Sequence, residues 1–378
     1  MNTRKRIGIL TSGGDCPGLN GAIRAVVNHA TLTYGWEVVG IPYATEGLRS
    51  RTSIPLNCHG LDVRGIDPLL SMGGTILGTI NGGNTLAESK DIINSVHEMG
   101  LDALIAIGGD GSLAILRQLA LEGNWNLIAI PKTIDNDVGV TERSIGFDTA
   151  INTVIDALNR LTYTASSHDR IMIVEVMGRE AGHLALNAGI AGGADVILLP
   201  EIPYSVQEVC HHLDELRDRW GRKFAIVVVA EGIQPEPSSP ICAYPDGSAA
   251  CGMGQYIADQ IKRLRSQPAE IRVSVLGHIQ RGGMPSGLDR LIAASFGTTA
   301  IDLVAENRFD QMVTWQGGRV TVHPLAEVLA QSPRLVDPND FLVQAARALG
   351  IYVGSQVEAV NLHPELLPTA MPAPALVQ

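Results

Sequence analysis

The feature that most constrains this chain is a recurring unit. A short, mainly apolar run stops at glycine, proline or a polar turn, and helical spacing often follows. Ile7–Leu10, Glu37–Pro42, Ala103–Ile107 and Leu127–Ile130 are such runs, and Ala22–Ala30 and Leu113–Glu122 carry helical patterns behind two of them. Runs of this length, bounded by turn residues, fit strands buried on both faces, the kind found in parallel sheets with crossover helices. The alternation resumes at Ile171–Val176, Val196–Leu199, Ala225–Ala230 and Ile271–Leu276, with amphipathic stretches at Ser205–Trp220 and Gly254–Ser266.

At 378 residues the chain exceeds one compact domain and suits two. The expectation is α/β: two Rossmann-like three-layer domains with mainly parallel sheets, joined by a helix around Asn152–Thr162. The expected division is residues 1–146 with 280–331, and residues 147–279 with 332–362. Residues 363–378, with Pro364, Pro368, Pro372 and Pro374, read as a loosely ordered tail, and the Pro- and Ser-rich stretch Gln234–Gly247 as a surface loop. A chain that is 45% hydrophobic and 18% charged can bury two cores and does not resemble a disordered one.

A net charge of −11 argues against nucleic acid or an anionic membrane surface as partner. An anionic substrate would need a local cluster of cations. The five cysteines show no C-x-x-C pair and no zinc spacing, which reads as reduced thiols. There is no signal-peptide pattern at the N-terminus and no apolar run approaching ~20 residues, so the expected setting is cytoplasmic.

Ligands of parallel sheets bind beyond the carboxyl ends of the strands. After the first strand comes Thr11-Ser12-Gly13-Gly14-Asp15-Cys16-Pro17-Gly18-Leu19-Asn20. Its adjacent glycines let backbone approach a phosphate ahead of a helix N-terminus, although a tight strand-to-helix turn explains them equally well. After Ala103–Ile107 comes Gly108-Gly109-Asp110-Gly111-Ser112. A carboxylate in a phosphate-cradling loop makes sense with a divalent cation between them, which makes Asp110 the candidate Mg²⁺ partner; a plain turn or N-cap is the alternative. No G-x-x-x-x-G-K-[ST] is present.

After Leu127–Ile130 comes Pro131-Lys132-Thr133-Ile134-Asp135-Asn136-Asp137. One of its two carboxylates can take a proton from a hydroxyl while the other stays ionised. In the second half, Arg170 precedes a strand and Met177-Gly178-Arg179 follows it; the Arg fork suits phosphate oxygens. Glu231 follows the next strand but one, where it can accept from sugar hydroxyls or cap a turn. Arg272, His278 and Arg281 gather within ten residues and form the local positive pocket the composition requires.

With these motifs in this order, the chain resembles the phosphofructokinase family over roughly residues 6 to 305. The resemblance rests on T-S-G-G-D-C-P-G-L-N, G-G-D-G-S, P-K-T-I-D-N-D, E-V-M-G-R-E-A-G and L-G-H-I-Q-R-G-G. It implies a phosphofructokinase-like fold and phosphoryl transfer from ATP, with Mg²⁺, to the 1-hydroxyl of fructose 6-phosphate. By resemblance, Gly14, Gly109, Asp110, Gly111 and Ser112 hold the donor, with Asp110 on the metal. Asp135 is the base, supported by Asp137, while Thr133, Ile134 and Asp135 contact the sugar; Lys132 and Thr133 count with the catalytic set, the charge of Lys132 being able to stabilise a phosphate leaving group. Met177, Gly178 and Arg179 face the substrate, Arg179 also steadying the transferring group, and Glu231 binds hydroxyls. Arg272, His278 and Arg281 clamp the 6-phosphate. Arg170 reaches the substrate of a neighbouring subunit, so the family implies a homo-oligomer with shared sites, often a tetramer.

The donor divides the family. A glycine at Gly111 goes with ATP, because a carboxylate there would crowd and repel the α-phosphate; Lys132 is more typical of pyrophosphate users, and the mixture occurs among ATP-dependent members. ATP is the expected donor and pyrophosphate the alternative. Asn81 stands where the family usually has Arg, and Asn28 and Thr162 stand where effector-site arginines fall, with Arg24 matching one. Weak or absent activation by nucleoside diphosphate is the expectation. A kinase of another G-G-D-G class would lack P-x-T-I-D-N-D and H-I-Q-R, and a non-catalytic sensor would be expected to have lost Asp135, Asp110 or Arg179.

Overall fold

A computed structural model describes residues 4–57, 67–80, 89–236, 252–265 and 268–355. By its internal contacts the chain forms two compact units, Met1–Asn152 with His278–Arg334, and Thr153–Gly277 with Leu335–Gln378. Asn81, most of the Pro- and Ser-rich loop and the C-terminal tail lie outside the described residues.

The first unit contains strands β1 (Arg6–Thr11), β2 (Glu37–Gly40), β3 (Ile54–Leu56), β4 (Ala103–Gly108) and β5 (Leu127–Pro131), and further along β10 (Gln311–Gln316) and β11 (Arg319–Pro324). They form one sheet in the order β11-β10-β5-β4-β1-β2-β3. The pairs from β2 to β10 are parallel, with Ile7 opposite Ala103 and Ile105 opposite Ile128. Only the edge strands β3 and β11 run antiparallel to their neighbours.

Helices α1 (Leu19–Tyr34), α2 (Thr45–Ser50), α3 (Ser89–Ile93), α4 (Ser95–Glu98), α5 (Asp110–Gly123), the start of α6 (Phe147–Ser167), and later α10 (Gly287–Ala305) and α11 (Leu325–Ala330) belong to this unit. Leu113, Leu116, Leu119 and Ala120 put an apolar stripe on α5, and it packs in one cluster with Leu104 and Ala106 of β4. Ala103, Ile105 and Ile107 alternate with them along β4 and are equally buried, so both sheet faces are covered. Full burial of one such Leu or Ile contributes about 2 kcal/mol.

In the second unit β6 (Arg170–Val176), β7 (Val196–Leu198), β8 (Ala225–Ala230) and β9 (Glu270–Val275) form an all-parallel sheet in the order β7-β8-β6-β9. Helices α7 (His183–Ala191), α8 (Val206–Trp220), α9 (Met253–Leu264) and α12 (Phe341–Ala348) complete it with the remainder of α6. α8 starts because Ser205 caps it through the Glu208 N–H, and it stops at left-handed Gly221. β8 is buried from end to end, while the edge strand β9 is buried at Ile271 and exposed at Glu270, Arg272 and Val275.

Candidate active site

In the first sheet β1 lies between β2 and β4. The connections leaving β1 and β4 therefore diverge, and the crevice at their carboxyl ends is where such a sheet binds ligands. Both glycine motifs sit there. The Ser12 N–H donates to the Ile107 carbonyl (2.9 Å), which ties the loop after β1 to the end of β4. A Cβ on Gly13 would lie 2.7 Å from Ser112 Oγ and 3.1 Å from Lys132 Nζ, and one on Gly14 would lie 2.6 Å from Arg281 Nη1. At Gly13, which is also left-handed at φ 81°, a side chain would be both strained and crowded, while at Gly14 it would displace the Arg281 guanidinium. Lys132 Nζ donates to the Gly14 carbonyl, and Arg281 Nη1 to that of Asp15 (3.2 Å). Thr79 Oγ1 donates to the Gly13 carbonyl, and Thr11 Oγ1 to that of Gly78 (2.8 Å).

Asp110 is the first residue of α5, after the extended Gly109. A negative charge there is favoured by the helix dipole. Gly111 is exposed, and a Cβ on it would meet nothing within 4 Å.

The loop after β5 is the most enclosed part of the site. Lys132, Thr133, Ile134, Asp135, Asn136 and Asp137 are each at most 8% exposed. It is no solvated turn, and burying its charges is costly unless they are paired and hydrogen-bonded. The backbone is held at several points. Lys132 N donates to the Gly108 carbonyl (3.0 Å), Thr133 N to that of Ile145 (3.1 Å), and Asp135 N to Thr133 Oγ1 (3.0 Å). Asn136 is left-handed at φ 55°, and its amide fixes it by donating to the Glu142 carbonyl (2.9 Å) and accepting from the Ser144 N–H (2.9 Å). Behind it, Asp289 accepts from the N–H groups of Gly146 (3.0 Å) and Thr149 (2.8 Å) and from the Thr149 hydroxyl. Burial pushes the Asp289 carboxyl above its ordinary range, against the opposing pull of those donors. The Cys16 thiol donates to the Ile145 carbonyl (3.2 Å); burial pushes its pKa up to about 12, with Lys132 as the leading opposing influence.

In the second unit, Glu231 at the end of β8 accepts from the Gly178 N–H (3.2 Å) and the Arg179 N–H (3.0 Å), just beyond neighbouring β6. Arg179 is left-handed at φ 53°, and a Cβ on Gly232 would fall 1.8 Å from its carbonyl oxygen. That close approach requires glycine. Arg170 and Arg272 both pair with Glu270, the first at 2.9 Å, and this holds the Glu270 carboxyl below its usual range, Arg170 foremost.

Of the residues singled out from sequence, Lys132 and Arg281 meet the Gly14–Asp15 backbone at the mouth of the first sheet, Ser112 sits beside Gly13, and the Thr133–Asp137 loop adjoins them through Lys132. Arg281 lies on the Gly14–Asp15 backbone, while His278 is exposed. Gly178, Arg179 and Glu231 form one group in the second unit, and Arg170 and Arg272 another. Arg24 is engaged by Asp67.

The family model "Phosphofructokinase" matches residues 6–304. This chain belongs to the phosphofructokinase family. A relative from Nostoc sp., named "ATP-dependent 6-phosphofructokinase 2", is 66% identical over 359 residues, covering 93% of this chain and 99% of its own length. The solved phosphofructokinase of Saccharomyces cerevisiae superposes with a TM-score of 0.71 at 28% identity; the match covers 86% of this chain and 45% of that one. A pyrophosphate-dependent phosphofructokinase from Nitrosospira multiformis superposes with a TM-score of 0.77, covering 97% of this chain and 98% of that one, and at 20% identity the likeness is of fold.

Asp289 stands in none of the sequence motifs, and although Asn20 lies in the first of them and Thr79 just before Asn81, their contacts are new. Asn20 accepts from the Ile76 N–H (2.8 Å) and donates to the Gly73 carbonyl (3.1 Å). Asp289 carries a local signal: Ser286 caps α10 through the Asp289 N–H, the spacing of a capping box. Thr79 and Asn20 show none, because their partners are backbone carbonyls and N–H groups more than fifty residues away.

Proposed function

We propose that this chain transfers the terminal phosphoryl group of ATP to the 1-hydroxyl of fructose 6-phosphate, giving fructose 1,6-bisphosphate, a step of glycolysis. The observation that carries it is the buried loop Lys132–Asp137, tethered at Lys132, Thr133, Asp135 and Asn136 and set beside the glycine turn Gly13–Gly14. An acid held in place and shielded from water suits a general base, and phosphoryl transfer asks mainly for alignment and charge neutralisation. In this reading Asp135 takes the hydroxyl proton with Asp137 beside it, and Thr133 and Ile134 line the sugar. The donor lies along Gly14, Gly109, Gly111 and Ser112, with Lys132 as a nearby cation. Met177, Gly178, Arg179, Glu231, Arg272, His278 and Arg281 serve the sugar phosphate, Arg179 also meeting the transferring group. The first unit is thus the donor-binding domain and the second the sugar-phosphate domain.

Mg²⁺ would offset donor charge at Asp110. An ion held there by one carboxylate would take its remaining ligands from phosphate and water oxygens. We assign the work to a cytoplasmic homo-oligomer in which Arg170 serves a neighbouring site. Among the described residues no helix is long and apolar enough to cross a membrane.

ATP is favoured over pyrophosphate because the space beside Gly111 is open and because the Nostoc relative carries the ATP-dependent name. Lys132, the feature typical of pyrophosphate users, is occupied in part by the Gly14 carbonyl. The test is a donor comparison at fixed fructose 6-phosphate, with ATP, ADP and pyrophosphate each with and without Mg²⁺. Turnover with ATP and Mg²⁺ alone is expected. Faster turnover with pyrophosphate overturns the donor, and no turnover with any donor overturns the reaction.

A further inference from the structure

Glu201, three residues beyond Leu198 at the end of β7, belongs to no motif above. One of its oxygens, Oε1, accepts two backbone N–H bonds, from Gly182 (2.8 Å) and from Val336 (2.9 Å). Gly182 closes the loop that begins at Met177, and Val336 lies in the segment that returns to the second unit after residue 334. That returning segment lies beyond residue 304, where the family match stops. The other oxygen, Oε2, is buried without a hydrogen-bond partner among the described residues, 2.7 Å from where a Gly182 Cβ would sit. A carboxylate is kept at such a place only if its bonds secure something that needs securing, because an unsatisfied buried oxygen costs about 1–3 kcal/mol.

What needs securing is Arg179. Its left-handed backbone costs roughly 1–2 kcal/mol and persists only where the surroundings enforce it. Glu231 holds the start of the loop through the Gly178 and Arg179 N–H groups, and Ala181 N bonds the Gly178 carbonyl (2.9 Å) to close the turn. Glu201 holds the far end at Gly182. With either end released, the turn can relax and swing the guanidinium.

We propose that Glu201 is a positioning residue for Arg179: it clamps the distal end of the Met177–Gly182 loop and locks it to the returning segment at Val336. This rests on the reading that Arg179 serves the sugar phosphate. The variants to make in the full-length protein are Glu201→Ala, Glu201→Asp and Glu201→Gln, with steady-state kinetics in both substrates and thermal melts. Alanine removes the acceptor. Aspartate keeps the charge but withdraws it by one methylene, so it cannot reach both N–H groups. Glutamine keeps an acceptor oxygen in reach of both.

Alanine and aspartate are expected to raise KM for fructose 6-phosphate about tenfold or more, since small misplacements of an orienting group have effects of that size. KM for ATP should stay within about twofold, and glutamine should restore both. If alanine is too unstable to purify, aspartate is read in its place. An unchanged KM for fructose 6-phosphate in the acceptor-deficient variant overturns the proposal, as does an equal rise in both KM values or a glutamine variant as impaired as alanine. A wild-type enzyme that shows no fructose 6-phosphate-dependent turnover overturns the functional reading itself, and the proposal with it.

Discussion

At the scale of single residues, the buried carboxylate of Asp289 shows how far this site depends on groups that never meet a ligand. It is fully buried and holds Gly146 and Thr149, the segment after Ile145, whose carbonyl takes the Thr133 N–H. Replacing it with asparagine keeps the size but turns one acceptor into a donor facing an N–H, so Asp289→Asn should cost about 1–3 kcal/mol. The pH dependence has a definite sign. Burial raises the folded-state pKa above the ordinary 3.8, so the folded chain binds the proton more tightly than the unfolded one. Asp289's contribution relative to asparagine is therefore fully present below pH 3.8 and declines as pH rises through the raised value. Denaturant melts of both proteins across acid to neutral pH check this; a gap that widens as pH rises contradicts it. Legibility at this scale follows sequence distance. Asp135 and Asp110 could be picked out because they stand in compact motifs at strand ends. The contacts of Arg281 with Gly14 and Asp15 could not, because 266 residues separate the bonded pair and only the fold closes that distance.

At the scale of elements, what the sequence revealed depended on whether an element is buried on both faces. β1, β4, β5 and β8 read as continuous apolar runs and fold as such, because parallel central strands have no wet face. β10 and β11 escaped notice. Gln-Met-Val-Thr-Trp-Gln mixes polar and apolar residues because its ends are only partly covered, and the Gly317-Gly318 pair that turns the hairpin was the available clue. The first turn of α5 makes a prediction of its own. A side chain at Gly111 meets no atom within 4 Å, and an acid in the first turn suits the helix dipole. Gly111→Asp should therefore fold with an unchanged melting temperature. Its carboxylate should nonetheless repel the α-phosphate and lower kcat/KM for ATP by about 100-fold, the size of effect expected from about 2.7 kcal/mol of lost transition-state stabilisation. Full ATP activity in that variant would show that the open space is not where the nucleotide goes.

At the scale of the whole molecule, an acidic chain with a net charge of −11 has to attract two anions, so its few site cations carry unusual weight. Arg170 is the one whose placement speaks to assembly. It opens the strand β6, its guanidinium engages Glu270, and Glu270 is shared with Arg272, so a phosphate arriving there competes with a carboxylate already in position. If Arg170 completes a neighbour's site, two defective chains can repair one another. Asp135→Ser lacks the base but keeps Arg170, and Arg170→Ala keeps the base but lacks the arginine. Co-expressed with different tags and isolated as mixed oligomers, they should recover activity that neither has alone, because some sites draw Asp135 from one chain and Arg170 from the other. In an isolated mixed pair joined by a two-fold interface, one of the two sites is so completed, which sets the expected recovery at about half of wild type. Mixed oligomers no more active than the average of the two parents would mean that each chain uses its own arginine. The site would then be complete within a single subunit, and any oligomer would have to be explained by something other than catalysis.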